Sequence, residues 1–484
     1  MRILVAASEA APLAKTGGLG DVVGALPSAL RELGCEVSLV IPAYRKALEN
    51  TEAPAVLAKA LPVKLGRKQV SADILETEIN PGISLYMVRR DEFFDRSGIY
   101  GTSDGEYFDS RERFIFFSRS IPLLCRSLDY HPDVIMANDW QTGLLMALLD
   151  EGAIPGAAGV FTIHNLGYQG LVAPEQISLI GLPEKYYGIE GLEFYGQMSL
   201  LKAGIVCAHA VTTVSPTYAQ EIQTSEFGFG LDGLLRSIKD RLFGILNGID
   251  EEAWDPEKDI HLQARYSRDD LSGKEICKRG LLKEVGLPLR LMKRPLLGMV
   301  SRLVSQKGCE LLLDTAEKIF GLDVGVVLLG SGEVAYEKAF SALEEKNQSN
   351  FRFIRGFDEP LAHRIYGGSD CILVPSLYEP CGLAQMYGLR YGSIPVVRAT
   401  GGLNDTVQDP RERRFPGTGF KFEEFDPAAF LAVVERANTV YKDNSYWQAM
   451  MREGMAQDFS WRRSAEEYLK VFEKAIRSKR GEDK

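Results

Sequence analysis

Short apolar runs that end in polar residues recur along the whole chain. The first covers residues 2–8, and Cys35-Glu36-Val37-Ser38-Leu39-Val40-Ile41-Pro42 is the second. Between them lie a glycine loop and a helical pattern from Val22 to Leu30, closed by Gly34. Strand, helix, strand in that order is a βαβ unit, which implies a parallel sheet with right-handed crossovers. The pattern returns where Val134-Ile135-Met136-Ala137 leads into Asn138-Asp139-Trp140, and where Gly159-Val160-Phe161-Thr162-Ile163 leads into His164-Asn165. Ala210 to Val214 does the same before Ser215-Pro216. A second series starts at Leu296-Leu297-Gly298-Met299-Val300 and continues through 324–330, 351–354, 371–375 and 394–397. Polar groups at the carboxyl ends of such strands are where open α/β sheets bind ligands.

The chain has 484 residues, too many for one ordinary core, so two large domains are expected. The joint is placed at Leu246-Asn247-Gly248-Ile249-Asp250, because Asn-Gly is a strong turn signal. That gives a first domain of 1–246 and a second of 247–455, with the strand-poor stretch 250–292 as linker and first helices. Residues 456–484 read as an amphipathic helix, with Tyr468, Leu469, Phe472, Ala475 and Ile476 on one stripe. Ser464 and Glu467 are expected to form a capping box, and the stripe is expected to dock back on the first domain. The fold class is α/β: two Rossmann-like, doubly wound parallel-sheet domains expected to face each other across a deep cleft.

Composition narrows the function. Hydrophobic residues are 45% and charged residues 25%, as in a soluble globular protein. A net charge of −10 argues against a nucleic-acid partner, which would call for a basic footprint. The seven cysteines are scattered with no CxxC pair, which suits reduced thiols in the cytoplasm and offers no zinc spacing. Glu9 cuts the first apolar run too short for a signal peptide, so a buried first strand is expected there, with the chain starting directly on its fold. No apolar run reaches the roughly 18 residues of a membrane span.

Thr16-Gly17-Gly18-Leu19-Gly20-Asp21-Val22-Val23 recurs near the other end as Thr400-Gly401-Gly402-Leu403-Asn404-Asp405-Thr406-Val407. Two glycine loops before helices suggest two anion-friendly surfaces, and one cleft between them could hold a nucleotide sugar. In the first, glycines let backbone approach phosphate oxygens, the helix start adds N–H donors, and Lys15 adds a full charge. The alternative is a plain β-turn-α connection. No Gly-Lys-Ser/Thr follows, so it is not a Walker loop, and the spacing GxGxxxG with no acid after Pro42 disfavours a nicotinamide enzyme.

Arg302 and Lys307 follow the first strand of the second domain and suit a departing pyrophosphate; the alternative is a solvated surface pair. Pro375-Ser376-Leu377-Tyr378-Glu379-Pro380-Cys381-Gly382-Leu383 is the densest motif. Glu379 there suits sugar hydroxyls and an oxocarbenium-like state; the alternative is a helix-start acid. Cys381 has no base nearby in sequence and reads as a small buried packing residue. His164 and Asp139, beside Trp140, suit a sugar or a turn equally. No Asp-x-Asp occurs in the chain, which weakens a transferase that holds its nucleotide through a metal.

Together these residues resemble bacterial glycogen synthases and plant starch synthases, which transfer glucose from ADP-glucose to α-1,4-glucan. The resemblance rests on Lys15 to Val22, His164-Asn165 with Tyr168-Gln169-Gly170, Asn247-Gly248-Ile249-Asp250, Trp254-Asp255-Pro256, Ser301-Arg302-Leu303, Gln306-Lys307-Gly308, Glu379 to Leu383 and Thr400 to Leu403, in order along nearly the whole chain. It implies the GT-B fold and retaining transfer without a metal or other cofactor. By matching position it makes Lys15, with Gly17, Gly18 and Asp21 of its loop, a ligand of the donor phosphates. Arg302 and Lys307 become the pyrophosphate clamp and Glu379 the carboxylate near the donor glucose. Asp139, His164 and Asn247 become the polar wall of the sugar site, and Cys381 and Gly382 join the substrate-binding segment. Thr400, Gly401 and Gly402 become a backbone contact to the diphosphate. Retention is explained by front-face attack, with the leaving phosphate helping to deprotonate the incoming 4-hydroxyl, so no covalent nucleophile is needed.

Two departures stand out. Leu377-Tyr378 replace the Arg-Phe usual before Glu-Pro-Cys-Gly, and Gly167 stands where Ala is common. The lost arginine bears on donor preference, which leaves UDP-glucose, or another acceptor, as the enzymatic rival. A glucan-binding protein without catalysis is the rival from another class, and it would have no need of the cationic clamp. A phosphorylase would need a lysine holding pyridoxal phosphate.

Overall fold

The structure, a computed structural model, describes residues 1–102, 105–412 and 416–482. The chain divides into two compact units, Met1–Gly248 with Trp461–Lys484, and Ile249–Ser460.

The first unit is built on a nine-stranded sheet: β1 (Arg2–Ala6), β2 (Glu36–Pro42), β3 (Ala55–Leu65), β4 (Lys68–Asn80), β5 (Ile83–Arg89), β6 (Val134–Asn138), β7 (Ala158–Ile163), β8 (Ala210–Thr213) and β9 (Leu242–Gly244). Their spatial order is β9-β8-β7-β6-β1-β2-β5-β4-β3. All neighbours from β9 to β5 are parallel; β4 and β3 extend one edge as an antiparallel ribbon. The register puts Ile3 between Val37 and Val134. The inner strands β1, β6 and β7 are largely apolar because both faces of a parallel sheet are covered. The order reverses between β1 and β6, and that is where open sheets of this kind place a ligand.

Helix Gly18–Glu32 buries Leu19, Val22, Val23, Leu26, Ala29 and Leu30, spaced for one helical face. It ends at Gly34, whose φ of 88° lets Cys35 N–H bond back to the Leu30 carbonyl at 3.1 Å. The last helix, Trp461–Arg480, packs on this helix and on β7 through Ala465, Tyr468, Phe472 and Ala475. The capping-box expectation fails there. The helix already begins at Trp461, and the Ser464 hydroxyl points inward and donates to the Leu246 carbonyl at 2.6 Å. Ser464 fastens the helix to the unit rather than capping it.

The second unit has six parallel strands: β10 (Leu296–Val300), β11 (Gly325–Gly330), β12 (Phe351–Arg355), β13 (Cys371–Val374), β14 (Ile394–Arg398) and β15 (Phe420–Phe422). The order is β12-β11-β10-β13-β14-β15, so its reversal lies between β10 and β13. The stretch before β10 is packed, not loose. Trp254 stacks between His363 and Tyr387, with ring centroids 3.8 and 3.9 Å away. Buried Asp259 takes His363 Nδ1 at 2.7 Å.

Candidate active site

In the second unit, β10 ends at Val300 and β13 at Val374, and the segments that leave them meet at the sheet's reversal point. Ser301, Arg302, Lys307, Ser376, Glu379 and Gly382 line a concavity of about 180 Å³ there. Arg302 is exposed. Lys307 is not a loose surface cation: its Nζ lies 2.5 Å from Glu379 Oε2. The Ser376 hydroxyl donates to the same oxygen at 3.0 Å. Glu379 is 6% exposed, and burying a carboxylate is costly unless it is paired and hydrogen-bonded in this way. The next helix begins only at Ala384, so Glu379 lies outside its first turn and the helix-dipole alternative does not apply.

The Leu377 backbone is held from two sides. Its N–H donates to the Gln306 carbonyl at 2.8 Å, and its carbonyl accepts from Arg398. Gln306 Nε2 also donates to the Tyr378 carbonyl at 3.1 Å. Arg398, at the end of β14, is a cation that the motif reading passed over.

The two glycine loops differ in surroundings. A Cβ built on Gly401 would lie 1.9 Å from the Glu379 carbonyl oxygen, and one on Gly402 would lie 2.1 Å from that of Cys381. The Gly402 N–H also donates to the Glu379 and Pro380 carbonyls, each at 3.2 Å. Thr400 is buried. These glycines therefore let the loop lie flush under the Glu379 segment. Cys381 is buried and Gly382 has φ 75°, which shapes the turn after it. In the first loop the pattern is reversed. Gly17 and Gly18 have no atom within 4 Å of a built Cβ, whereas Gly20 and Gly24 are packed against Lys15 and Ala11. The open pair is the part that a ligand can approach.

Lys15 pairs with Asp21 at 2.6 Å and is 46% exposed. What holds the loop is Glu9, a residue read from sequence only as a break in an apolar run. Its carboxylate accepts from Thr16 N–H at 2.6 Å, the Thr16 hydroxyl at 2.7 Å and Gly17 N–H at 3.1 Å. Tyr100 donates at 2.6 Å to Oε1, the oxygen that also takes the Thr16 hydroxyl. A glutamate directly beyond β1 was the available signal.

Asp139 and His164 follow the neighbouring strands β6 and β7. Asp139 has φ 56°, and its Oδ1 accepts from the backbone N–H of His164 at 2.7 Å. Removal from solvent raises its carboxyl to about 7, against the lowering effect of the His164 and Asn165 N–H groups. Burial lowers the His164 imidazole to about 3, so it is neutral at physiological pH. Asn138 Nδ2 donates to the Ala6 carbonyl at 3.0 Å, which turns its Oδ1 toward His164 Nε2 at 2.9 Å. That network assigns the proton to Nε2 and leaves Nδ1 as an acceptor. Asn247 is buried, and its Oδ1 has no hydrogen-bond partner among the described residues.

Residues 2–237 match the family described as starch synthase catalytic domain, and residues 288–453 match glycosyl transferases group 1. Glycogen synthase of Desulfatibacillum aliphaticivorans is 48% identical over 99% of this chain and 100% of that protein. The chain belongs to the glycogen and starch synthases. Glycogen synthase of Syntrophotalea carbinolica is 45% identical over 98% of this chain and 99% of that protein. Among solved structures, the catalytic domain of starch synthase IV from Arabidopsis thaliana, bound to ADP and acarbose, superposes with a TM-score of 0.89. It is 34% identical and covers 98% of this chain and 99% of its own. Sucrose-phosphate synthase from Thermosynechococcus elongatus shares the fold, with a TM-score of 0.62 at 17% identity and 98% coverage of both chains. The glycogen synthase reading from sequence stands, as do its two parallel-sheet GT-B domains and its assignment as a glycosyltransferase.

Among the described residues of this synthase, no group of three or more His, Cys, Asp or Glu side chains could hold a metal, and no helix is long and apolar enough to cross a membrane. The cysteines among them form no disulfide.

Proposed function

We propose that this synthase moves glucose from ADP-glucose to the non-reducing end of an α-1,4-glucan, with retained configuration and no metal or other cofactor. The observation that carries the reading is the Lys307–Glu379 pair with Ser376 and Arg302 at the reversal point of the second sheet. The ADP-bound Arabidopsis relative supports the choice of donor.

In this reading the donor's pyrophosphate draws Lys307 toward itself, and Arg302 joins it. Together they take up the charge that grows as the sugar–phosphate bond breaks. Glu379, released from Lys307, accepts hydrogen bonds from glucose hydroxyls and faces the positive charge developing at the ring. Lys15 binds the phosphates from the Glu9-anchored loop. Thr400, Gly401 and Gly402 shape the diphosphate's surroundings, while Cys381 and Gly382 fix the backbone beyond Glu379. Neutral His164 accepts a sugar hydroxyl on Nδ1, and Asp139 and Asn247 complete the polar wall. The acceptor's 4-hydroxyl oxygen bonds to the anomeric carbon, the bond to the phosphate oxygen breaks, and the proton passes to the leaving phosphate.

The test is incorporation of labelled glucose into glycogen from ADP-glucose and from UDP-glucose, with EDTA present, and NMR of the new linkage. Transfer from ADP-glucose to an α-linked product is expected. Preference for UDP-glucose overturns the donor assignment, and loss of transfer in EDTA overturns the metal-free step. Glucan binding with no transfer from either donor makes the protein a binder.

A further inference from the structure

Two turns in the first unit place an aromatic residue where the backbone favours asparagine or glycine. Strand residues Phe194 and Gln197 face each other, joined by Tyr195-Gly196 with φ values of 47° and 82°. Across from them, Leu231 N–H bonds the Gly228 carbonyl at 2.7 Å, closing a turn over Phe229-Gly230 with φ values of 48° and 80°. Positive φ at both central residues is the mark of a type I′ turn, whose first central position strongly prefers Asn, Asp or Gly. A tyrosine or phenylalanine there costs stability. Burial does not repay that cost at Tyr195, which is 81% exposed, while Phe229 is partly packed and keeps 40% of its surface open.

The two turns touch. A Cβ built on Gly230 lies 3.1 Å from the Phe194 ring and 3.2 Å from the Tyr195 ring. Phe194 and Tyr195 meet edge to face at 4.8 Å. The platform continues into the loop that carries His164. Gln169 Nε2 donates to the Phe229 carbonyl at 2.8 Å, and a Cβ on Gly167 would lie 3.5 Å from the Phe229 ring. Tyr168, 59% exposed, stands on the same loop. Asp139, also at positive φ, binds the start of that loop. Backbone strain of this kind gathers at ligand-binding surfaces.

We propose that Tyr195, Phe229 and Tyr168 form a stacking platform for the α-1,4-glucan acceptor, holding glucose units of the growing chain as it runs to the His164 loop. The occupant is a neutral polysaccharide, whose pyranose rings present flat faces of C–H groups to aromatic rings. Continuity with the sugar-site loop selects it. The inference rests on the glucan-transfer reading.

Tyr195→Asn is the informative variant, because asparagine suits the type I′ position and removes only the ring. Its melting temperature should equal or exceed that of the parent. The KM for glycogen should rise roughly two- to tenfold, the range of one aromatic contact, while the KM for ADP-glucose stays unchanged. Retardation in a native gel containing glycogen should weaken in parallel. Phe229→Asn should raise the glycogen KM alike, and Tyr195→Phe should keep glycogen affinity. If the parent enzyme transfers glucose but Tyr195→Asn and Phe229→Asn keep its glycogen KM and retardation, the platform is refuted and the function stands. If the parent neither transfers glucose nor is retarded by glycogen, the function reading itself fails and takes the platform with it.

Discussion

Replacing Lys307 with alanine should do more to the second unit than remove a substrate contact. At 2.5 Å and an effective dielectric near 20, the gross attraction between Lys307 and Glu379 is about 7 kcal/mol. Most of that is offset by the desolvation of the two groups. What alanine leaves behind is a carboxylate 6% exposed with only the Ser376 hydroxyl on Oε2. Stranding one member of a buried pair costs about 3–5 kcal/mol. The lysine side chain is 20% exposed, so water can enter, and about 2–3 kcal/mol is the expected loss. For a unit of this size that lowers the melting temperature by roughly 5–10 °C. Calorimetry on Lys307→Ala, Glu379→Gln and the double variant forms a thermodynamic cycle. The double variant should melt above Lys307→Ala, because neutral glutamine needs no cation. Additive effects, or a Lys307→Ala melt matching the parent, would refute the pair as a stability element.

Four further outcomes follow from the geometry. Asp139→Asn suits the positive φ and should track the carboxyl raised to about 7. A raised acid stabilises the fold below its unfolded pKa near 4 and loses that contribution as pH rises through 7. Asp139→Asn should therefore gain stability relative to the parent between pH 4 and 7, read by melts across pH. His164, lowered to about 3, contributes stability above pH 6.5 that is lost as pH falls toward 3; His164→Gln should flatten that acid limb in denaturant titrations. Glu9→Gln weakens the bonds to Thr16 and Gly17 and should raise the KM for ADP-glucose several-fold in initial-rate assays, with the KM for glycogen unchanged. Gly401→Ala forces a Cβ to 1.9 Å from the Glu379 carbonyl; steady-state assays should show turnover down at least tenfold, with a stability loss of about 2 kcal/mol or more.

How much of this could be read in advance depended on burial. β10 begins and ends where its apolar run does, and β11 to β14 follow theirs to within a residue; the inner strands are legible because cover on both faces keeps them apolar, and the edge strand β12 through its alternating Phe351 and Phe353. β3 escaped because the ribbon at the sheet edge is largely exposed and its pattern mixes Lys59 and Lys64 with alanines. The cations Arg302 and Lys307 and the acid Glu379 were legible as strand-end residues, but their pairing was not, since 72 residues separate the lysine from the glutamate. Glu9 was visible only as an interruption, and its role needed the loop folded over it. Tyr195-Gly196 and Phe229-Gly230 carry no conventional turn signature, so their conformation became apparent only from backbone angles.

The final helix belongs to the first unit, although 212 residues of the second, Ile249–Ser460, are made before it. On the ribosome, domains ordinarily fold in the order in which they emerge. Here the half begun first is completed last. Until Trp461–Arg480 emerges, helix Gly18–Glu32 and β7 lack the apolar cover that Ala465, Tyr468 and Phe472 provide. A chain released early would thus carry a fully encoded second unit and an unfinished first one, with bare apolar surface for chaperones and proteases to find. Arrival of this helix is in effect the checkpoint at which the first unit can close its core.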